Sequence, residues 1–222
     1  MSTLPITDRT RITRLRERQS TERGDLDALL DEALIAHVAV VREGAAIVLP
    51  TLFARDGDTL LLHGSSGGGL LRQAALDGLL TVAVTLVDGL VVARSTFDSS
   101  MNYRSAMILG RATALEGDEK ARALDVLVAR LLPGRAEEVR ASTPREIAAT
   151  LVLRLPLDEA SVKIRAAGPS DDDAQGAGVW AGVVPLVTRT LEPVPAPGSA
   201  ATPPPSVDAF IGGVDRAVPP FR

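Results

Sequence analysis

The chain contains no cysteine in 222 residues. A disulfide framework, a thiolate metal site and a catalytic thiol are therefore excluded, and a reducing, cytoplasmic setting is expected. Aromatic residues are scarce, with one Trp, one Tyr and four Phe. Proteins that stack nucleic-acid bases need more of them. The formal net charge of −4 also lacks the basic surplus that neutralises phosphates. Two histidines, His37 and His63, are too few for a His-rich metal site, and neither HExxH nor EF-hand spacing occurs. No serine sits in a nucleophile elbow. Lysine occurs only twice against 22 arginines, a bias of the kind a GC-rich genome produces. No stretch approaches the roughly 18–20 apolar residues of a membrane helix, and the arginine-rich N-terminus has no apolar run to act as a secretory signal. Neither nucleic acid nor membrane is expected as a partner.

What is present is 45% hydrophobic and 23% charged residues, enough for one sizeable core built from Val, Leu, Ile and Ala. Composition separates three regions. Residues 1–24 carry six arginines against three acids and read as a basic arm that lies on the domain or frays. Residues 25–191 form the domain. Residues 192–222 hold eight prolines and read as an extended or disordered tail.

Within the domain, Leu26, Leu29, Leu30 and Ala33 fall at helical spacing behind Gly24 and Asp25. The period then becomes that of strands. Runs at 35–41, 45–53 and 59–63, joined by turns bearing Gly and Asp, make an antiparallel meander. Pro50 interrupts the second run, so the chain is bulged there or turns that amide position outward. A helix follows at 70–76, a hairpin at 79–95 around Val87-Asp88-Gly89, and a strand near 105–115. A helix at 119–132, a short helix at 144–149 and strands at 151–157 and 161–165 complete the set. The residues 168–178, with Asp171-Asp172-Asp173, read as an exposed acidic loop. Many strands and few long helices predict a mainly β fold with peripheral helices (α+β), an antiparallel closed or split barrel.

Four segments could carry chemistry. Leu62-His63-Gly64-Ser65-Ser66-Gly67-Gly68-Gly69 runs from a strand end into a helix start, where amides and hydroxyls suit a phosphate. Its plain structural explanation is a flexible connection, and it matches neither the P-loop nor the dinucleotide fingerprint. Ser99 to Ser105, with Asn102, Tyr103 and Arg104, gathers donors able to hold a polar ligand; a polar barrel corner explains it equally. Leu49-Pro50-Thr51-Leu52 could present backbone and a hydroxyl to a flat ring. Lys163, in Ser161 to Arg165, and Trp180, in Val179 to Gly182, form the fourth, although a lone Trp more often plugs a core or an interface. His37, inside an apolar run, reads as a hydrogen-bonded core histidine, which leaves His63 as the better functional candidate.

The order of these segments resembles the pyridoxamine 5′-phosphate oxidase-related, FMN-binding split-barrel family, in its flavin-nucleotide-binding or nitroimidazole-resistance-like branch. Five blocks carry the resemblance, at 62–65, 87–95, 100–105, 159–165 and 179–186. The resemblance implies a homodimer with two FMN sites at the subunit interface. It places the ring along Pro50, Thr51 and Leu52, and the phosphate on His63, Gly64, Ser65, Ser66, Gly67 and Gly69. It puts Asn102, Tyr103, Arg104 and Ser105 near the dimer seam, with Lys163 and Trp180 as further cofactor contacts. His63 and Tyr103 are the candidate proton donors.

One departure stands out. Many relatives place a serine and a cation at the end of the glycine loop, where this chain has Gly68 and Gly69. Arg72, three residues on, shares a helix face and is expected to take over the phosphate. The reading of function is an FMN-dependent oxidoreductase passing a hydride or electrons from NAD(P)H to a small nitroaromatic or quinone-like acceptor. The alternatives are a flavin-binding protein without turnover, or a relative using the groove for haem, pyridoxal phosphate or deazaflavin.

Overall fold

The barrel begins with a short helix whose apolar stripe seeks a sheet. Leu26, Leu29 and Leu30 of α1 (Arg23–Glu32) are fully buried, each worth about 1.5–3 kcal/mol relative to exposure. The computed structural model describes residues 2–171, 178–199 and 202–214. After α1 come β2 (Ile35–Arg42), β3 (Ala45–Asp56) and β4 (Thr59–Ser65), preceded by the two-residue β1 (Gln19–Ser20). Helix α2 (Gly69–Asp77) leads to β5 (Leu79–Val92), β6 (Ser100–Arg111) and β7 (Thr113–Ala114). Helices α3 (Gly117–Leu131), α4 (Arg135–Glu138) and α5 (Pro144–Ala149) precede β8 (Thr150–Pro156), β9 (Ala160–Arg165), β10 (Gly182–Pro185) and α6 (Pro205–Val214).

The strand pairs among the described residues are antiparallel, in the order β1-β9-β6-β5-β2-β3-β4-β8-β7, with β10 on β5. Because β6 runs on into β7, which pairs with β8, the two ends of the sheet meet and the barrel closes. Gly110 permits that meeting: a Cβ there would lie 2.9 Å from Leu155 Cδ1. The main core joins Phe53, Leu60, Leu62, Val82, Ile108 and Val162 to α1 and α2. A second cluster packs α3 onto the outside of β3, β4 and β8. The fold is mainly β with peripheral helices, an antiparallel split barrel, as the meander predicts.

Several details differ from expectation. The hairpin expected at 79–95 is one strand carrying a bulge between Val87 and Gly89. Asp88 is drawn inward to Arg104 there, so the Val-Asp-Gly sequence makes a bulge instead of a turn. His37 is not a core residue but exposed, because Ala36, Val38 and Val40 take the interior positions of β2. Alternation was masked because the outer face is apolar too, at Ile35, Ala39 and Val41. Pro50 pairs with His37 in a continuous register from Ile35–Leu52 to Arg42–Ala45. Since β4 pairs only with Phe53 to Asp56, the proline stands where β3 has no second neighbour. This is the outward placement, not the bulge.

The N-terminal arm lies on the domain. Leu4 is buried, and Thr7 and Arg9 bond the Glu159 carboxylate. The tail is not extended or disordered throughout, since α6 occupies part of it. Glu138 supplies the missing cap by accepting from Ser206 N and Oγ at 2.9 and 2.6 Å. The acidic loop lies largely outside the described residues, but Asp171 is described and binds Arg94.

Candidate functional site

The glycine loop is built from β4 outward. His63, Gly64 and Ser65 still pair with Val152, Leu151 and Thr150 of β8. Beyond them the chain turns on itself: Ser66 N donates to Ala149 O, Gly68 N to Ser65 O, and Gly67 N to Ser65 Oγ. These amides were expected to face a phosphate and are spent internally. The open donors are those of the first turn of α2, which Gly68 precedes without any side-chain cap. Gly64 lets Leu71 pack directly against the strand, since a Cβ there would lie 2.7 Å from Leu71 Cδ1 and the leucine would have to shift. The cradle is thus the start of α2 with Ser65, Ser66, Gly67 and Gly69 around it.

Two cations border this end. Arg72 is exposed and makes no ion pair among the described residues. Arg42, at the end of β2, was not singled out from the sequence. Its Nη1 lies 3.8 Å from where a Gly69 Cβ would stand, and its contact with Glu43 is a loose 3.8 Å. No sequence signal links it to Gly69, which lies two strands, β3 and β4, further along the chain.

His63 sits immediately before the cradle. Its Nδ1 is buried without a hydrogen-bond partner, and burial pushes its pKa below the ordinary histidine value. Burial thus favours the neutral imidazole. The β3–β4 register ends at Phe53–Leu62, one residue short of Leu52 and His63, while on the other edge of β3 the Pro50-Thr51-Leu52 segment pairs with His37, Ala36 and Ile35. Thr51 Oγ1 bonds the Leu52 carbonyl at 3.3 Å.

The remaining expected contacts do not join this cluster in one chain. Asn102 is fully buried and acts as a brace, its Oδ1 accepting from Arg165 and, at 3.1 Å, from Ala167 N. Arg104 is committed to two carboxylates, Glu32 and Asp88. Lys163 Nζ donates to the Arg14 carbonyl at 3.2 Å, holding the arm. Ser105 Oγ reaches the Lys163 carbonyl at 3.4 Å. Tyr103 pairs with Val87 and Arg165, three strands from β3 in the sheet order. Trp180 is 63% exposed, so it plugs no core in the single chain.

Comparisons with known proteins agree with this architecture. The sequence profile described as pyridoxamine 5′-phosphate oxidase matches residues 22–164. No curated protein sequence matches the chain. Among solved structures, the FAD and haem binding protein from Mycobacterium smegmatis is 46% identical, with a TM-score of 0.84 over 87% of this chain and 97% of that one. The flavocytochrome Anf3 from Azotobacter vinelandii is 36% identical, with a TM-score of 0.86 over 92% of this chain and 97% of that one. A candidate 5-nitroimidazole antibiotic resistance protein from Bacteroides thetaiotaomicron shares the fold at 22% identity and a TM-score of 0.55, over 66% of this chain and 86% of that one. The chain belongs to the pyridoxamine 5′-phosphate oxidase family.

Proposed function

We propose that the chain is a homodimeric flavoprotein that also carries haem, and that it passes reducing equivalents from NAD(P)H to a small nitroaromatic or quinone-like acceptor. The flavin reading rests on the family and on the two relatives whose names include FAD or flavocytochrome. The haem reading rests on the names of the same two relatives; His63, half-buried and favoured neutral by that burial, is the imidazole assigned to the iron. A haem iron needs such a nitrogen, and the chain offers no cysteine as an alternative.

The chain's own residues divide the work. The first turn of α2, Ser65 and Ser66 hold phosphate, and Arg42 and Arg72 balance its charge. Pro50, Thr51 and Leu52 provide the wall for the ring. When bound, a flavin supplies hydride or electron transfer and a haem supplies single-electron transfer. Two guanidiniums beside one uncapped helix start suit a diphosphate, so we assign FAD; the smaller FMN, with one phosphate, is the competing flavin.

A second copy completes the site. Val41, Val48 and Leu79 are 69, 55 and 50% exposed along one side of the barrel, an apolar face of the kind subunits cover. Covering it would exclude water from the ring and bring the partner's β6 toward the Pro50 strand. The test is the purified protein itself. Light scattering should give twice the chain mass, heat-released cofactor should have the mass of FAD, and a Soret band should accompany the flavin bands. Steady-state NAD(P)H oxidation with a nitroaromatic or quinone then tests turnover. Protein isolated with neither flavin nor haem, and taking up neither on addition, overturns the reading.

A further inference from the structure

At the other end of β2 a cleft of about 410 Å3 opens between the barrel and α6. Ile35, Leu131, Leu186 and Phe210 give it apolar walls, and His37, Thr85 and Thr188 add polar groups. This size and mixture suit a small planar molecule. The wall contributed by α6 is fixed in place, because Ser206 at its start is buried and bonded to Glu138.

The charge at the cleft decides which molecule fits. Arg104 donates from Nη1 and Nη2 to Glu32 at 2.5 and 2.9 Å. It also donates from Nη2 and Nε to Asp88 at 2.6 and 3.1 Å. Four of the roughly five N–H donors of a guanidinium are thereby taken, and the three groups together carry one negative charge. Arg130, the other cation there, gives Nη2 to the carbonyls of Asp31 and Ala33. At Arg104 an incoming anion finds no free guanidinium fork and meets two carboxylates; a donor-bearing ligand finds acceptors.

We propose that this cleft seats the small-molecule substrate and, through the carboxylates that hold Arg104, favours uncharged or cationic planar compounds over anions. Its assignment to substrate rests on the flavin reading, since His37 and Ile35 pair directly with Pro50 and Leu52 of the ring strand. The charge selectivity stands on the cleft alone. It also sets this chain apart from a phosphate-bearing substrate such as pyridoxamine 5′-phosphate.

Three probes of one shape test it by calorimetry on the full chain as purified: benzamidine, benzamide and benzoate. Benzamidine and benzamide should bind, and benzoate at least about tenfold more weakly. Ala209→Trp, which fills the cleft, should remove binding of both. Glu32→Gln, which releases part of Arg104, should shift the preference toward benzoate. Should Glu32→Gln fail to fold, Ala209→Trp still decides. Benzoate binding as tightly as benzamidine, no probe binding, or Ala209→Trp leaving binding intact overturns the proposal. Because these readouts need no cofactor, absence of flavin would sink the proposed function while leaving the cleft's selectivity measurable.

Discussion

The two ends of β2 treat charge in opposite ways. At the Arg42 end, two exposed guanidiniums stand beside an uncapped helix start, and the site is short of negative charge. At the Ile35 end, Arg104 is locked between Glu32 and Asp88, and the site is saturated with it. Arginine content alone therefore says nothing about anion binding; what matters is whether a carboxylate has already claimed the guanidinium. On the proposed reading, one strand would join a place for a phosphate to a place that disfavours one, an arrangement that would keep a phosphorylated cofactor and an uncharged substrate apart.

The sharpest way to break this comparison is at the histidines, His63 on the strand that leads into the loop and His37 in the lining of the cleft. His63→Ala should abolish the Soret band while the flavin bands persist, whereas His37→Ala should retain both. Visible absorbance of the two purified variants checks this, and a Soret band surviving in His63→Ala would remove the iron from the loop end altogether. Next in size is Asp88→Ala. Asp88 is 8% exposed, and its loss strands donors of Arg104, which should cost about 2 kcal/mol. Arg72→Ala at the open end should stay within about 0.5 kcal/mol. Urea midpoints of the two variants measure the contrast.

The sequence disclosed these two ends unequally. The glycine loop could be found because its elements are contiguous: a strand end, glycines and a helix start fall within eight residues. Its details could not, since the amides of Ser66, Gly67 and Gly68 are consumed by Ala149 and Ser65, partners set by β8 and the turn. Arg42 was invisible because only the β2 register brings it near Gly69. The cleft end was misread for a different reason. Arg104 lay in a donor-rich block and looked available, but its partners come from α1 and the β5 bulge, 72 and 16 residues away. His37 was hidden by an outer face as apolar as the inner one. The barrel itself was legible because strand periodicity and turn residues are local, whereas pairing of charges is not.

Smaller effects refine the loop end. α5 carries a capping box in which Thr143 and Glu146 satisfy each other's backbone. Arg140 and the Thr143 amide together hold the Glu146 carboxyl at about 2. Thr143→Ala should cost about 1 kcal/mol and, because Ala149 O receives Ser66 N, should loosen the cradle as well. Hydrogen exchange at Ser66, compared with a core amide such as Val82, reports the local part. Arg42→Ala and Arg72→Ala should each weaken flavin binding by about 0.2–1 kcal/mol, as befits exposed cations, a factor of at most about five. The loss should shrink in high salt. Equal losses would mean shared duty, and a loss confined to Arg42→Ala would discard the part expected of Arg72.

The gentlest test uses pH on the cofactor-free chain. Burial lowers the His63 pKa from its ordinary value of 6.5, so below that pH the unfolded chain binds a proton that the folded chain resists. Stability must then fall as pH drops through 6.5, and the decline from this residue ends once pH passes the lower folded value. His63→Gln, neutral throughout, should flatten the slope of urea midpoint against pH in that window without altering its behaviour above 7. His37→Gln, at the exposed histidine of β2, serves as the matched control. If both variants flatten the curve equally, burial does not distinguish the two histidines, and the neutral nitrogen on which the loop end depends has no special standing.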